Sequence, residues 1–294
     1  MDNEILITVG PGETRVALLH SGVVQEVHIE RSKNNTLVGN IYMGKVVRIL
    51  PALEAAFVDI GIERNGFLHL SDVANQASKR GKNENPKATD IRHVLHEGQL
   101  VMVQVIKNPI NDKGARLTAE ISVVSRYFAY LPAGRGNKVS HRIRKRDERQ
   151  RLQDNLELML STHEGEGAVG STQQISTGGY IVRTAAEGVA LKYLQSDLSF
   201  LQNCWKAVQS EKATIKKPGR VFQEMALQLR VMRDLVDDKT TSILVDCAEV
   251  FEQLKKIMDR YHQSIANLVV HYDGEKPLFQ HYNYVELRQL MLYH

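Results

Sequence analysis

Glu54-Ala-Ala-Phe-Val-Asp-Ile-Gly-Ile-Glu-Arg-Asn-Gly-Phe-Leu-His-Leu-Ser-Asp72 is the stretch whose reading decides the fold. Two short runs of period-two alternation flank a glycine-bounded turn, the pattern of adjacent β-strands. In the first run Ala56, Val58 and Ile60 share one face, which leaves Phe57 on the other with Asp59. In the second, Gly66, Leu68 and Leu70 share a face, so Phe67 points away beside His69 and Ser71. Two aromatics thus sit on the polar side of neighbouring strands. Unpaired nucleic-acid bases stack on such rings at roughly 1–3 kcal/mol each, whatever the base. The competing reading places both rings in a core, because a one-residue slip exchanges the two faces.

Working outward, residues 41–49, 100–107 and 115–118 supply three more short strands, and the five together predict a small closed barrel of the oligonucleotide-binding kind. The hydrophilic stretch 76–93, with Lys79, Arg80, Lys82, Lys87 and Arg92 against Glu84 and Asp90, reads as a loop flanking its binding face. Lys113, in the turn Asn111-Asp-Lys-Gly114, is placed to meet a phosphate or to stay solvated. His69 is placed to stack on or bond a base, or to do nothing. Upstream, residues 4–9 and 15–29 read as a hairpin about Gly10-Pro11-Gly12. Downstream, apolar stripes at helical spacing predict helices near 147–160 and over 197–212, 220–238 and 248–262, with strands at 180–182, 242–246 and 268–272. That succession suits an α/β layer which the N-terminal hairpin completes, with the barrel as an insertion.

Charge sharpens the reading. The 294 residues carry 38 Lys and Arg against 34 Asp and Glu, a net +4 that permits a nucleic-acid partner without requiring one. Segment 133–151 alone carries Arg135, Lys138, Arg142, Arg144, Lys145, Arg146, Arg149 and Arg151 against Asp147 and Glu148, a net +6. It suits an RNA backbone and equally a solvated helix start. The polar stretch 161–179 reads as a flexible linker. No apolar run approaches a membrane span, and the start Met-Asp-Asn-Glu-Ile lacks a signal peptide, so a cytoplasmic protein is expected. Cys204 and Cys247 have neither disulfide-framework nor zinc-knuckle spacing. Asp59, Asp246 and Asp273 stand alone in sequence, and no catalytic or metal-binding residue is assigned.

The motifs Asn40-Ile-Tyr-Met-Gly-Lys-Val46, Leu53-Glu-Ala-Ala-Phe-Val-Asp-Ile-Gly61, Gly66-Phe-Leu-His-Leu70, Lys113-Gly-Ala-Arg-Leu-Thr118 and Val182-Arg-Thr-Ala-Ala-Glu-Gly188, in this order, resemble the bacterial ribonuclease E/G family, and its ribonuclease G branch more closely. The resemblance runs from the N-terminus to about Tyr282. It implies an α/β (α+β) multidomain fold: a ribonuclease-H-like domain over 1–35 and 229–294, an S1-like RNA-binding barrel over 36–119, and a 5′-sensor domain over 120–228. It further implies single-stranded RNA with a 5′-monophosphate as partner, and a family role in rRNA processing and mRNA decay. Phe57, Phe67, Lys113 and His69 would contact RNA; Arg183, Thr184, Ser125 and Ala129 would line the 5′-phosphate pocket. A guanidinium fork beside a hydroxyl suits a terminal phosphate, which offers more charge and more free oxygens than an internal diester.

The family's magnesium-binding aspartates and zinc-linking cysteines belong to a later deoxyribonuclease-I-like domain, which begins about where these 294 residues stop. The expectation is therefore an N-terminal part that binds RNA, holds no metal of its own and does not cleave alone. The alternatives are an active magnesium-dependent RNA hydrolase and a non-enzymatic module acting on a full-length homologue or on a second copy of itself.

Overall fold

The computed structural model describes residues 2–31, 36–73, 90–162, 178–237, 239–261 and 263–281. Most of the basic loop read at 76–93 and most of the linker read at 161–179 lie outside the described residues. The chain forms two compact units, Met1–Thr36 with Met225–His294, and Leu37–Glu224.

The first unit is built from both ends of the chain. Strands β1 (Asn3–Val9), β2 (Glu13–His20) and β3 (Val23–Arg31) form an antiparallel meander. Ser21 and Gly22 join β2 to β3 with positive φ at both positions, the two-residue turn whose twist matches its flanking strands. Strands β14 (Thr240–Val245) and β15 (Val269–His271) extend the sheet in parallel, giving the order β15-β14-β1-β2-β3. β1 is therefore central, and Ile5, Leu6 and Ile7 are all fully buried. Ile5 and Ile7 pack with helices α3 (Leu227–Asp234) and α4 (Ala248–Tyr261); Leu6 faces the other way onto Ala17, Leu19 and Leu278 of α6 (Leu278–His281). The short helix α5 (Gln263–Ala266) precedes β15.

One element differs from its expected form. The stripe Phe222, Met225, Leu229, Met232 and Val236 predicts a single helix over 220–238, yet residues 219–222 are a strand and the helix begins at Leu227. The strand pairs with Ile41–Met43, and Glu30 accepts the Leu227 N–H at 3.0 Å, capping the shorter helix. Arg230 on that helix pairs with the same carboxylate at 3.2 Å.

In the second unit, β4 (Ile41–Leu50), β5 (Ala55–Asp59), β6 (Gly66–His69), β7 (Leu100–Lys107) and β8 (Arg116–Thr118) close as a five-stranded barrel, because β4 pairs with both β5 and β7. Tyr42, Val46, Ala56, Val58, Ile60, Leu68, Val103 and Leu117 fill its interior. Ile41 and Met43, one residue out of phase, point away and join a second core. That core lies under a sheet of β9 (Val123–Val124), β10 (Phe128–Leu131), β11 (Lys138–Val139) and β12 (Gly179–Val182), ordered β11-β12-β10-β9. Helices α1 (Arg146–Thr162) and α2 (Leu191–Thr214) cover it, with Leu194, Leu198, Leu201, Trp205 and Val208 buried along α2. Strand β13 (Gly219–Phe222) returns to pair with the first half of β4. The mixed α/β fold with an oligonucleotide-binding barrel, read from strand alternation and helical period, is what the chain adopts. No described helix is long and apolar enough to cross a membrane.

Candidate nucleic-acid interface

Because Ala56, Val58 and Leu68 point into the barrel, Phe57 and Phe67 point out. They are direct cross-strand partners, with ring centroids 6.2 Å apart and planes at 69°. This edge-to-face contact leaves ring surface uncovered: Phe57 is 36% exposed and Phe67 is half-buried. Registry places basic residues on both sides. Arg48 on β4 is the partner of Phe57, Arg116 on β8 is the partner of Phe67, and Lys107 on β7 is the partner of Arg116. Directly paired residues share a face, so one row across the barrel reads Arg48, Phe57, Phe67, Arg116, Lys107. Arg48, Arg116 and Lys107 are exposed, and Arg116 also holds Asp72 at 3.0 Å.

The three basic members of the row escaped the sequence reading. Each stands outward in its own strand, but bulges after Val46 and after Val105 shift the cross-strand register, which alternation within one strand cannot reveal. Lys113 is exposed in the turn that leads into β8, and that turn runs beside the start of β6: the Phe67 N–H donates to the Ala115 carbonyl at 2.8 Å. His69 is half-buried and its Nδ1 accepts the Ser71 N–H at 3.2 Å, which leaves Nε2 for a ligand.

A second locus gathers at the end of β12. The Arg183 N–H donates to the Tyr127 carbonyl at 2.8 Å, and its Nη1 donates to the carbonyls of Ser125 at 2.6 Å and Arg126 at 3.1 Å. Thr184 follows, exposed, at the start of a single 3-10 turn. Ala129 is half-buried on β10 opposite Ile181, two residues before Arg183. Ser125 is 1% exposed; its hydroxyl donates to Asp197 Oδ2 at 2.6 Å, so its backbone carbonyl is what reaches Arg183. Asp197 escaped the sequence reading too. Its signal is an acid on the buried stripe of α2, beside Leu194 and Leu198. Burial pushes its carboxyl up, opposed by the hydrogen bonds from Ser125, Tyr127 and Arg126.

The basic segment 133–151 divides in two. Arg149 donates to the carbonyls of Ser140, Ile143 and Val139, and Arg151 grips Glu148 through two nitrogens while reaching the Val189 carbonyl. These two cations hold the protein together. Arg135, Lys138, Arg142, Arg144, Lys145 and Arg146 are exposed. Among the described residues no group of three or more His, Cys, Asp or Glu converges as metal ligands would. Asp59 accepts the Gly61 N–H at 2.8 Å and Asp246 the Val9 N–H at 3.1 Å, so these carboxylates order backbone.

Residues 37–108, which hold most of the barrel, match the S1 RNA binding domain, and residues 122–292 match the ribonuclease E/G family. The chain belongs to the ribonuclease E/G family. It is 38% identical to ribonuclease G of Salmonella typhimurium (strain SL1344) over 285 residues, 96% of this chain and 55% of that protein. Ribonuclease G of Escherichia coli (strain K12) is likewise 38% identical over 281 residues, 95% of this chain and 55% of that protein. Ribonuclease E of Haemophilus influenzae is 35% identical over 272 residues, 92% of this chain but 27% of the relative. The chain thus spans about half the length of the ribonuclease G relatives it matches. Within the family frame the barrel is an S1 domain carrying the aromatic row, and the Arg183 locus falls inside the ribonuclease E/G match.

Proposed function

We propose that these residues capture single-stranded RNA by its unpaired bases and by its 5′-monophosphate, as the RNA-binding part of a ribonuclease G-like endoribonuclease active in rRNA processing and mRNA decay. The first unit would be the ribonuclease-H-like scaffold, divided over 1–35 and 229–294, with the barrel over 36–119 and a 5′-sensor over 120–228. The observation that carries the reading is the row Arg48, Phe57, Phe67, Arg116 and Lys107. Rings supply stacking that tolerates any base, and the flanking cations supply attraction to the sugar-phosphate chain on either side. Lys113 and His69 stand at the margin of this row. A terminal phosphate would meet the Arg183 guanidinium and the Thr184 hydroxyl, with Ala129 and the backbone of Ser125 as walls. The bond-breaking step is not assigned to these residues.

Titration of labelled single-stranded RNA carrying either a 5′-monophosphate or a 5′-hydroxyl tests both parts. The expected result is tighter binding of the phosphorylated strand, a preference abolished by Arg183→Ala. Equal affinity for the two ends sinks the end-recognition reading. Metal-dependent hydrolysis by the purified chain favours a complete hydrolase instead.

A further inference from the structure

Asp197 is 7% exposed on α2, where an ionised carboxylate is costly unless donors surround it. Its donors come from one short loop. Oδ2 accepts the Ser125 hydroxyl at 2.6 Å and the Tyr127 N–H at 2.8 Å, and Oδ1 accepts the Arg126 N–H at 3.2 Å. Consecutive groups of residues 125–127 therefore face the helix with their hydrogens. The carbonyls of Ser125 and Arg126 accept Arg183 Nη1 at 2.6 and 3.1 Å. The loop acts as a spacer between an anion and a cation, donors on one side and acceptors on the other.

We propose that Asp197 is a positioning residue for recognition of the RNA 5′-phosphate: by holding loop 125–127 it aims the Arg183 guanidinium at the terminal phosphate. The inference rests on the assignment of Arg183 to that phosphate. A guanidinium has five donors in a fixed fork, and its worth against a phosphate depends on direction. Nη1 is occupied by the two carbonyls, which fixes the plane of the fork. Without the carboxylate, the N–H groups of Arg126 and Tyr127 lose this acceptor and the Ser125 hydroxyl is left with the Phe128 carbonyl at 3.2 Å, so the loop turns to re-pair its N–H groups. The carbonyls turn with it. Asp197 itself never needs to touch the RNA, and its role is distinct from that of Thr184 or Arg183.

The test uses the 294-residue chain and three RNAs of one sequence: 5′-monophosphorylated, 5′-hydroxyl and circular. In Asp197→Asn the carboxamide offers one accepting oxygen where two were used, and turns donors towards donors. The preference for the phosphorylated over the hydroxyl end should fall at least about tenfold, the scale of a charge-assisted hydrogen bond, while affinity for the circle stays unchanged. Ser125→Ala removes only one of the three donors and should lower the preference severalfold, with a smaller drop in melting temperature than Asp197→Asn. It keeps the test decisive if Asp197→Asn folds poorly. A purely structural role would weaken all three RNAs together. A full preference retained in either folded variant, or parallel loss on all three RNAs, overturns the inference. Absence of any preference in the unaltered chain instead overturns the assignment of Arg183, and this inference falls with it.

Discussion

Phe57 and Phe67 contact each other edge to face outside the barrel, and neither ring contributes to the apolar cluster within it. Their removal should therefore separate binding from folding. Phe57→Ala with Phe67→Ala is expected to weaken binding of a 5′-hydroxyl single strand by roughly tenfold or more, at about 1–3 kcal/mol per stacked base, as read by fluorescence anisotropy. The melting temperature should stay within a few degrees of the unaltered chain. The cations in the same row act through charge. Arg48→Gln with Arg116→Gln should lower the slope of log affinity against log salt by about 0.7 for each phosphate no longer neutralised, and an unchanged slope removes them from the RNA path. The outward rings were legible because alternation is local. The basic row was not, since it exists only where bulged strands set Arg48 against Phe57 and Lys107 against Arg116.

At the scale of the element, close approach decides what a turn tolerates. A Cβ on Gly114 would sit 1.8 Å from the Asn65 carbonyl oxygen, a backbone atom that cannot yield without moving the start of β6. Gly114→Ala should displace Lys113 and Phe67 together, lowering both thermal stability and RNA affinity, whereas Lys113→Ala should lower affinity alone. The α1 terminus shows a second dependence. Glu148 accepts two nitrogens of Arg151 and the Gly188 N–H at 2.8 Å, tying the helix to the segment that follows Thr184. Its carboxyl is held below the ordinary carboxylate range, first by the Arg151 hydrogen bonds. A depressed acid stabilises the fold fully above its unfolded value of about 4.3 and loses that contribution as pH falls through its folded value. The melting temperature of the chain should thus fall on acidification below about pH 4.3, and Glu148→Gln should flatten that fall. Composition could not distinguish Arg149 and Arg151 from the exposed cations around them, because internal bonding depends on which carbonyls the fold brings near. The helix read at 220–238 failed for a related reason: an apolar spacing of three and four also describes a strand, a cap and a shorter helix in succession.

Over the whole molecule, the sheet of the first unit joins Ile5 to Ile243 and Leu6 to Leu244, so it closes only after the intervening chain has been made. The second unit is continuous in sequence and encloses its own clusters. Residues 37–224 expressed alone should melt cooperatively and keep single-strand RNA affinity, measured by circular dichroism and anisotropy; a fragment without cooperative melting contradicts that independence. The sequence by itself determined the barrel, the outward side of its phenylalanines, the buried stripe of α2 and the family, because alternation, helical period and ordered motifs are carried by neighbours along the chain. Only the tertiary structure decided that Arg48, Arg116 and Lys107 share a row with those rings, that Ser125 presents its carbonyl rather than its hydroxyl to Arg183, and that Asp197 stands behind that loop. Those juxtapositions join residues tens of positions apart, through cross-strand register and buried hydrogen bonds that arise only when distant segments pack.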